Sequence, residues 1–176
     1  MRMLRISLAV FLLSTLALAQ FRPGTLRRGH QADNVVRDYL RLDFTGARLS
    51  PASWPRIKAL TSWKSNPEWQ SVTIVSQYEV ISDEERTHSA VASVKYGVLG
   101  RFRIGVGYTP EAGVETVVFK LREVDDGWKI EELDPMINPH VSRARAVQWL
   151  QSALATEQDA GNKAAMERAL NALQAK

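Results

Sequence analysis

The stretch that decides the fold is VETVVFKLREVDDGWKIEEL, residues 114–133. Apolar residues alternate with polar ones on both sides of its centre, which is the pattern of β-strands with one buried face. Asp126-Gly127 interrupts the alternation and is a common turn between two antiparallel strands. On the second strand, Trp128 and Ile130 are predicted to point toward the core. The stretch therefore predicts an antiparallel hairpin at the end of a sheet.

Two further strands are predicted upstream of this hairpin. Residues 72–80 and 90–98 show the same alternation, and the polar segment SDEERT (82–87) between them is predicted to form a turn. Residues 99–113 contain four glycines and Pro110, which obscure the pattern. We expect a bent strand around residues 102–108 and a loop after it, because glycines commonly mark bends in strands.

Both ends of the globular part have a helical period. The first helix is predicted from Asp33 to Phe44 and ended by Gly46, since glycine is favoured just past the last turn. A short second helix is expected over about residues 50–60. Residues 138–176 are predicted to form a C-terminal helical extension that breaks at DAGN (159–162).

Helices followed by a run of antiparallel strands place the chain in the α+β class. Over residues 32–137 this order resembles the cone-shaped superfamily of nuclear transport factor 2-like proteins, which includes ketosteroid isomerase and polyketide-cyclase-like proteins. The residues that carry the resemblance are VVRDYLRLDFTGARLS (35–50), as a first helix with its exit, and DDGWKIEEL (125–133), as the last turn and strand. It implies N-terminal helices packed on a curved antiparallel sheet, a cystatin-like cone, to which residues 138–176 are additional.

The N-terminal sequence is typical of an export signal. Residues 1–19 combine two early arginines, a short apolar run and the small-residue pattern Ala17-Leu18-Ala19. That run is shorter than the ~20 apolar residues that span a bilayer. We therefore expect a cleaved signal peptide, a basic leader over residues 20–31, a periplasmic or secreted destination, and no membrane attachment after cleavage.

The composition of the chain excludes several kinds of site and gives no reason to expect nucleic acid. The chain has no cysteine, which excludes disulfides, thiolate nucleophiles and zinc–thiolate sites. Its formal net charge of +4 falls to +2 when Arg2 and Arg5 leave with the signal peptide, because residues 1–19 contain no acid. A charge of +2 gives no reason to expect nucleic acid as a partner.

No motif for a metal, cofactor or nucleophile is present. His30, His88 and His140 have no second ligand at a spacing typical of metal sites, so each is predicted to be a single histidine that is either exposed or satisfied by its surroundings, and no metal or cofactor is expected. The glycines of residues 97–107 are not followed by the Lys-Ser/Thr of a phosphate-binding loop.

Three residues are candidates for acid–base chemistry. Tyr39 and Asp43 are four positions apart, so they share one face of the predicted first helix. Strict alternation places Glu132 on the same strand face as Trp128 and Ile130, where burial would raise the pKa of its carboxyl group. The resemblance implies that tyrosine and aspartate at such positions line a cavity, whereas the residue type and position of Tyr39 favour an ordinary core aromatic with a satisfied hydroxyl.

Tryptophans indicate where a ligand could bind. Trp54, Trp63 and Trp69 lie within sixteen residues of one another, around the second helix and its exit. They could cover the open end of the sheet, or line a pocket for a small apolar ligand. We take Trp54, Trp63, Tyr39 and Tyr78 as candidate ligand-binding residues.

Three functions remain open. The first is an exported, non-enzymatic binding or interaction module with an apolar pocket under Trp54 and Trp63. The second is a small-molecule isomerase, dehydratase or hydrolase that uses a pocket carboxylate and a tyrosine. The third is a helical adaptor, in which residues 140–176 pair with a protein partner or with a second copy of the chain.

Overall fold

A computed structural model describes residues 31–125, 127–131 and 137–175. The predicted signal peptide, nearly all of the basic leader and Glu132 lie outside these ranges. The elements in chain order are α1 (Gln31–Phe44), two 3₁₀ turns (Ala47–Leu49 and Pro51–Ser53), α2 (Trp54–Lys58), β1 (Ser71–Glu85), β2 (Ser89–Arg103), β3 (Gly107–Val124), β4 (Gly127–Ile130), β5 (His140–Ser142), α3 (Arg143–Leu154) and α4 (Ala160–Gln174).

The strands form one sheet in the order β4-β3-β2-β1-β5. All neighbours pair antiparallel except β5, which runs parallel to β1. The sheet is strongly curved, and register shifts in β1 fall between Ile74 and Val75 and after Val80, as expected of bulges that bend a strand. The predicted α+β class, with helices packed on a curved and mostly antiparallel sheet, is confirmed.

Helices bury two separate cores against this sheet. The larger core joins α1, α2 and Trp63 to the middle of the sheet and to β4. The smaller core joins α3 and α4 to one end of the sheet, where Trp149 packs edge-on against Trp69 and Phe102. The C-terminal helices therefore lie on the protein's own sheet, and their buried residues are Ala146, Leu150, Ala165, Ala169, Leu170 and Leu173.

The first helix follows the sequence pattern closely. Val36, Tyr39 and Leu40 are buried on its inner face, and the helix ends at Phe44 as predicted. Gly46 adopts φ +79°, a left-handed conformation in which glycine pays no steric cost. This reversal turns the chain inward and sends the next residues, Ala47 and Arg48, into the core.

The middle of the sheet is more regular than predicted. The expected turn at residues 82–87 is wrong, because β1 continues to Glu85 and pairs there with Ala90. The expected loop after Tyr108 is also wrong, because β3 begins at Gly107 and runs without interruption. Its glycines and Pro110 hide a long strand, since glycine adds no side chain to the alternating pattern.

A short strand precedes the C-terminal helices. Val141, which falls within the predicted C-terminal helical extension, lies instead in β5 beside Ile74 of β1. The sheet therefore includes residues 140–142, which had been assigned to the helical extension. The break before α4 falls at residues 155–159, slightly before the predicted one. None of the described helices is long and apolar enough to cross a bilayer.

Candidate functional site

The inside of the larger core contains an unusual set of polar side chains. We call Tyr39, Asp43, Arg48, Tyr96 and His140 the interior cluster. Each of the five is at most 1% exposed. Aspartate and arginine are almost never buried to this degree unless they are paired, so this region is the strongest candidate for a functional site in the part of the chain described.

Helix α1 supplies the first two members. Tyr39 and Asp43 lie one turn apart on its inner face, as their spacing predicted. The ring of Tyr39 packs against Trp63 and Phe119, with centroid distances of 5.7 and 5.5 Å. Burial raises the pKa of Tyr39, and the nearby Asp43 raises it further. The Tyr39 hydroxyl therefore keeps its proton.

Arg48 enters the cluster from the 3₁₀ turn that follows Gly46. Its Nη1 donates to the Tyr39 hydroxyl at 3.4 Å and its Nη2 donates to the backbone carbonyl of Ile137 at 2.9 Å. The guanidinium carbon lies 5.3 Å from the centroid of the Trp63 ring, in cation–π range. These partners are all uncharged, and none of the described carboxylates forms a salt bridge with Arg48.

His140 enters from strand β5. Its backbone N–H donates to Oδ2 of Asp43 at 3.0 Å, and its ring Nδ1 is 3.9 Å from the same oxygen. On its flat side the imidazole stacks on Tyr96, with centroids 4.0 Å apart and planes 20° apart. The short parallel pairing of β5 with β1 thus places the histidine beside a carboxylate of α1.

Glu115 of β3 links His140 to the surface. Its Oε1 lies 3.5 Å from Nε2 of His140, an ion-pair distance that is long for a hydrogen bond. The other oxygen accepts a 3.1 Å hydrogen bond from Arg101, which also pairs with Glu111. The contact with His140, supported by Arg101, lowers the pKa of the half-buried Glu115 carboxyl.

Burial dominates the electrostatics deeper inside. It raises the pKa of Asp43, and the attraction of Arg48 and His140 only partly opposes the rise. Burial likewise raises the pKa of Tyr96, which is further raised by the charge of Asp43 and lowered slightly by that of Arg48. The titratable side chains of α1, the 3₁₀ turn and β2 therefore influence one another's pKa.

Several polar atoms of this cluster have no hydrogen bond. Among the described residues, nothing forms a hydrogen bond with Oδ1 of Asp43, Nε of Arg48, the hydroxyl of Tyr96, or Nδ1 and Nε2 of His140. These five buried atoms belong to four neighbouring side chains. Buried polar atoms are nearly always hydrogen-bonded in folded proteins, and an exception commonly marks a functional site.

The structure brings together some of the residues singled out from the sequence. Tyr39, Asp43 and Trp63 lie in or beside the interior cluster. Tyr78 is half-buried and packs on Phe44 and more loosely on Tyr96, while Trp54 is half-buried at the edge of the larger core. Trp69 belongs instead to the smaller core, and Glu132 lies outside the described residues.

Sequence reasoning missed Arg48, Tyr96, His140 and Glu115. His140 is buried, and its ring contacts Asp43, Glu115 and Tyr96. These contacts cross 25 to 97 positions of sequence, so no local spacing could reveal them. One available signal was Tyr96 itself, which the strand alternation places on the buried face.

In the described part of the chain, no group of three histidine, aspartate or glutamate side chains is arranged to hold a metal ion. Comparisons with known proteins add no assignment: no protein-family model, curated protein or solved structure matches the chain.

Proposed function

We propose that the chain is an exported small-molecule-binding module with the cone-shaped fold of nuclear transport factor 2-like proteins. This fold relationship rests on the sequence resemblance of residues 32–137, and the pattern of residues 1–19 supports export. The observation that carries the binding function is the group of five polar atoms without a hydrogen bond in the interior cluster. Three of them, Oδ1 of Asp43, Nε of Arg48 and the Tyr96 hydroxyl, also have no ion-pair contact among the described residues, whereas the ring nitrogens of His140 lie within ion-pair distance of Asp43 and Glu115.

The physical argument concerns the cost of these atoms. Leaving one buried donor or acceptor unpaired costs about 1–3 kcal/mol, which is large beside a total stability of about 5–15 kcal/mol. A protein that only needed a stable core would be more stable with apolar side chains at these positions. A small polar ligand that hydrogen-bonds to several of these atoms would offset the cost, which explains why the polar residues are kept together.

A fragment screen observed by ¹H–¹⁵N NMR tests the proposal on the chain purified after export. The indole N–H of Trp63, which donates to the carbonyl of Glu131, is a built-in reporter close to Arg48. We expect bound fragments to shift the signals of Trp63 and of the His140 amide. Fragments that shift only surface residues, or a screen without any saturable shift at these two signals, would contradict the proposal.

A matched pair of variants separates binding from stability. Tyr96→Phe removes one unpartnered hydroxyl but keeps the ring that stacks on His140, so it is expected to weaken fragment binding several-fold. Tyr108→Phe removes a hydroxyl that donates to the carbonyl of Leu99 in the smaller core. It is expected to lower stability while leaving fragment affinity unchanged.

A second candidate function is acid–base catalysis on the bound molecule. The contact between Asp43 and His140 favours it, because burial raises the pKa of the carboxyl toward the range useful for proton transfer. Each fragment that binds can be incubated with the chain in D₂O and followed by ¹H NMR. Exchange of its C–H protons or its conversion, lost in Asp43→Asn, supports an enzyme; an unchanged ligand supports a binding module.

A further inference from the structure

One of these atoms of the interior cluster can only donate: Nε of Arg48 carries a hydrogen and has no acceptor capacity. The Tyr96 hydroxyl can donate or accept, and a neutral His140 has one donor and one acceptor nitrogen. Oδ1 of Asp43 accepts when its carboxyl is ionised. A ligand that pairs with Nε of Arg48 and with the hydrogen of the Tyr96 hydroxyl must therefore present acceptor oxygens.

The charges point in the same direction. Arg48 is 1% exposed, and its partners are a hydroxyl, a carbonyl and an indole face, all uncharged. Asp43 is the nearest fully buried acid among the described residues, and burial raises the pKa of its carboxyl group. Asp43 and Arg48 do not form a salt bridge, and no other fully buried acid lies in the described part of the chain.

We propose that the interior cluster binds a small carboxylate, whose oxygens accept from Nε of Arg48 and from the Tyr96 hydroxyl. This inference rests on the proposed binding function and names its ligand class. Charge-assisted hydrogen bonds from arginine to a carboxylate are stronger than those between neutral groups.

The test compares carboxylates with neutral molecules of the same shape. Acetate, propionate and butyrate are titrated into the full chain purified after export, and acetamide, propionamide and butyramide are titrated in parallel at constant ionic strength. The Trp63 indole N–H shift gives each dissociation constant. We expect each carboxylate to bind at least ten-fold more tightly than its amide. Equal affinity within each pair would overturn the inference.

Two variants assign the binding to the cluster. Tyr96→Phe is expected to weaken the carboxylates several-fold and the amides less, since an ionised oxygen gains more from a hydroxyl donor. Arg48→Lys keeps the charge but removes the Nε donor, and we expect it to weaken carboxylate binding at least ten-fold. Arg56→Lys, an exposed position on α2, is the control and should leave every constant unchanged.

The outcomes also separate this inference from the proposed function. If neutral fragments shift Trp63 saturably while the three carboxylates do not, the carboxylate assignment is wrong and the binding module stands. If neither class of molecule shifts Trp63, both are wrong. If Arg48→Lys unfolds the chain, Tyr96→Phe alone decides, and unchanged carboxylate affinity in that variant overturns the inference.

Discussion

The backbone amide of His140 donates a 3.0 Å hydrogen bond to Oδ2 of Asp43, and so joins two residues that are 97 positions apart. One carboxylate oxygen thereby fixes strand β5 to helix α1. The bond is completely buried, because both residues are 1% exposed. It connects the first described element of the chain to the sheet edge that the last strand completes.

Removing the Asp43 acceptor should destabilise the fold. We expect Asp43→Ala to lower the free energy of unfolding by about 1–3 kcal/mol, because the amide of His140 is left buried and unpaired. Asp43→Asn keeps an acceptor and should cost less. Denaturant unfolding measures both. Asp38→Ala, which breaks only an exposed pair with Arg41, is the control; equal losses at positions 38 and 43 would refute the role of this bond.

The same residue should make stability depend on pH. Burial raises the folded-state pKa of Asp43 above its ordinary value of 3.8. Between these two values the folded chain binds more protons than the unfolded chain, so the contribution of Asp43 grows as the pH falls. Unfolding of wild type and Asp43→Asn from pH 7 to pH 4 measures the difference. The free energy of unfolding of wild type should rise relative to that of Asp43→Asn as the pH is lowered. A difference between the two that stays constant with pH would contradict this assignment.

Glu115 should behave in the opposite sense. Its pKa is lowered from 4.5 by His140 and then by Arg101, so its stabilising effect is present above pH 4.5 and is lost as the pH falls through the lowered value. Carboxyl ¹³C NMR should show this lowered pKa directly. We expect His140→Gln to return it part of the way toward 4.5. His88→Gln, an exposed histidine that pairs with Glu123, should leave the Glu115 titration unchanged.

Gly46 should tolerate no side chain. An added Cβ would lie 2.7 Å from Cγ of Arg145 in a backbone of φ +79°, so Gly46→Ala should cost more than the about 1–2 kcal/mol of the left-handed conformation alone. Gly105→Ala has a similar φ of +76° and open space around it, so it measures the backbone part by itself. Equal losses in the two variants, by denaturant unfolding, would show that Arg145 simply moves aside.

The C-terminal helices should be part of the folding unit. Leu150 is fully buried in the smaller core, so Leu150→Ala should lower the free energy of unfolding by about 2–5 kcal/mol. The exposed neighbour Gln151 is the matched control, and Gln151→Ala should change it by less than about 0.5 kcal/mol. If instead Leu150→Ala left stability intact and abolished self-association in sedimentation, the adaptor hypothesis would be favoured.

Local patterns predicted most of the fold because they act over a few residues. The period of α1 and the alternation of β1, β2 and β3 are visible in sequence, and Trp128 and Ile130 are buried as predicted. Strand β5 was missed because three residues carry no period, and its pairing with β1 is non-local. The glycines around position 105 erased the pattern where β2 turns into β3.

The residues of the candidate site also divide into those that a local sequence pattern predicts and those that only the folded structure brings together. Tyr39 and Asp43 could be placed together because a helix sets their spacing. Arg48 reaches them only because Gly46 reverses the chain, and His140 only because β5 aligns with β1. No single-sequence pattern contains such contacts, since each requires the assembled sheet.

The parallel pairing of β5 with β1 also determines the order in which parts of the fold can form. During synthesis, the residues of helix α1 and of the hairpins leave the ribosome before residues 140–142. Asp43 therefore has no bond with the backbone amide of His140 until β5 has formed. Contacts over such a distance form late and slow folding. If the proposed export takes place, the interior cluster can close only after residues 140–142 have crossed the membrane. Nascent chains that stop before β5 would expose an unpaired carboxylate and the edge of β1, which is the kind of surface that chaperones and proteases recognise.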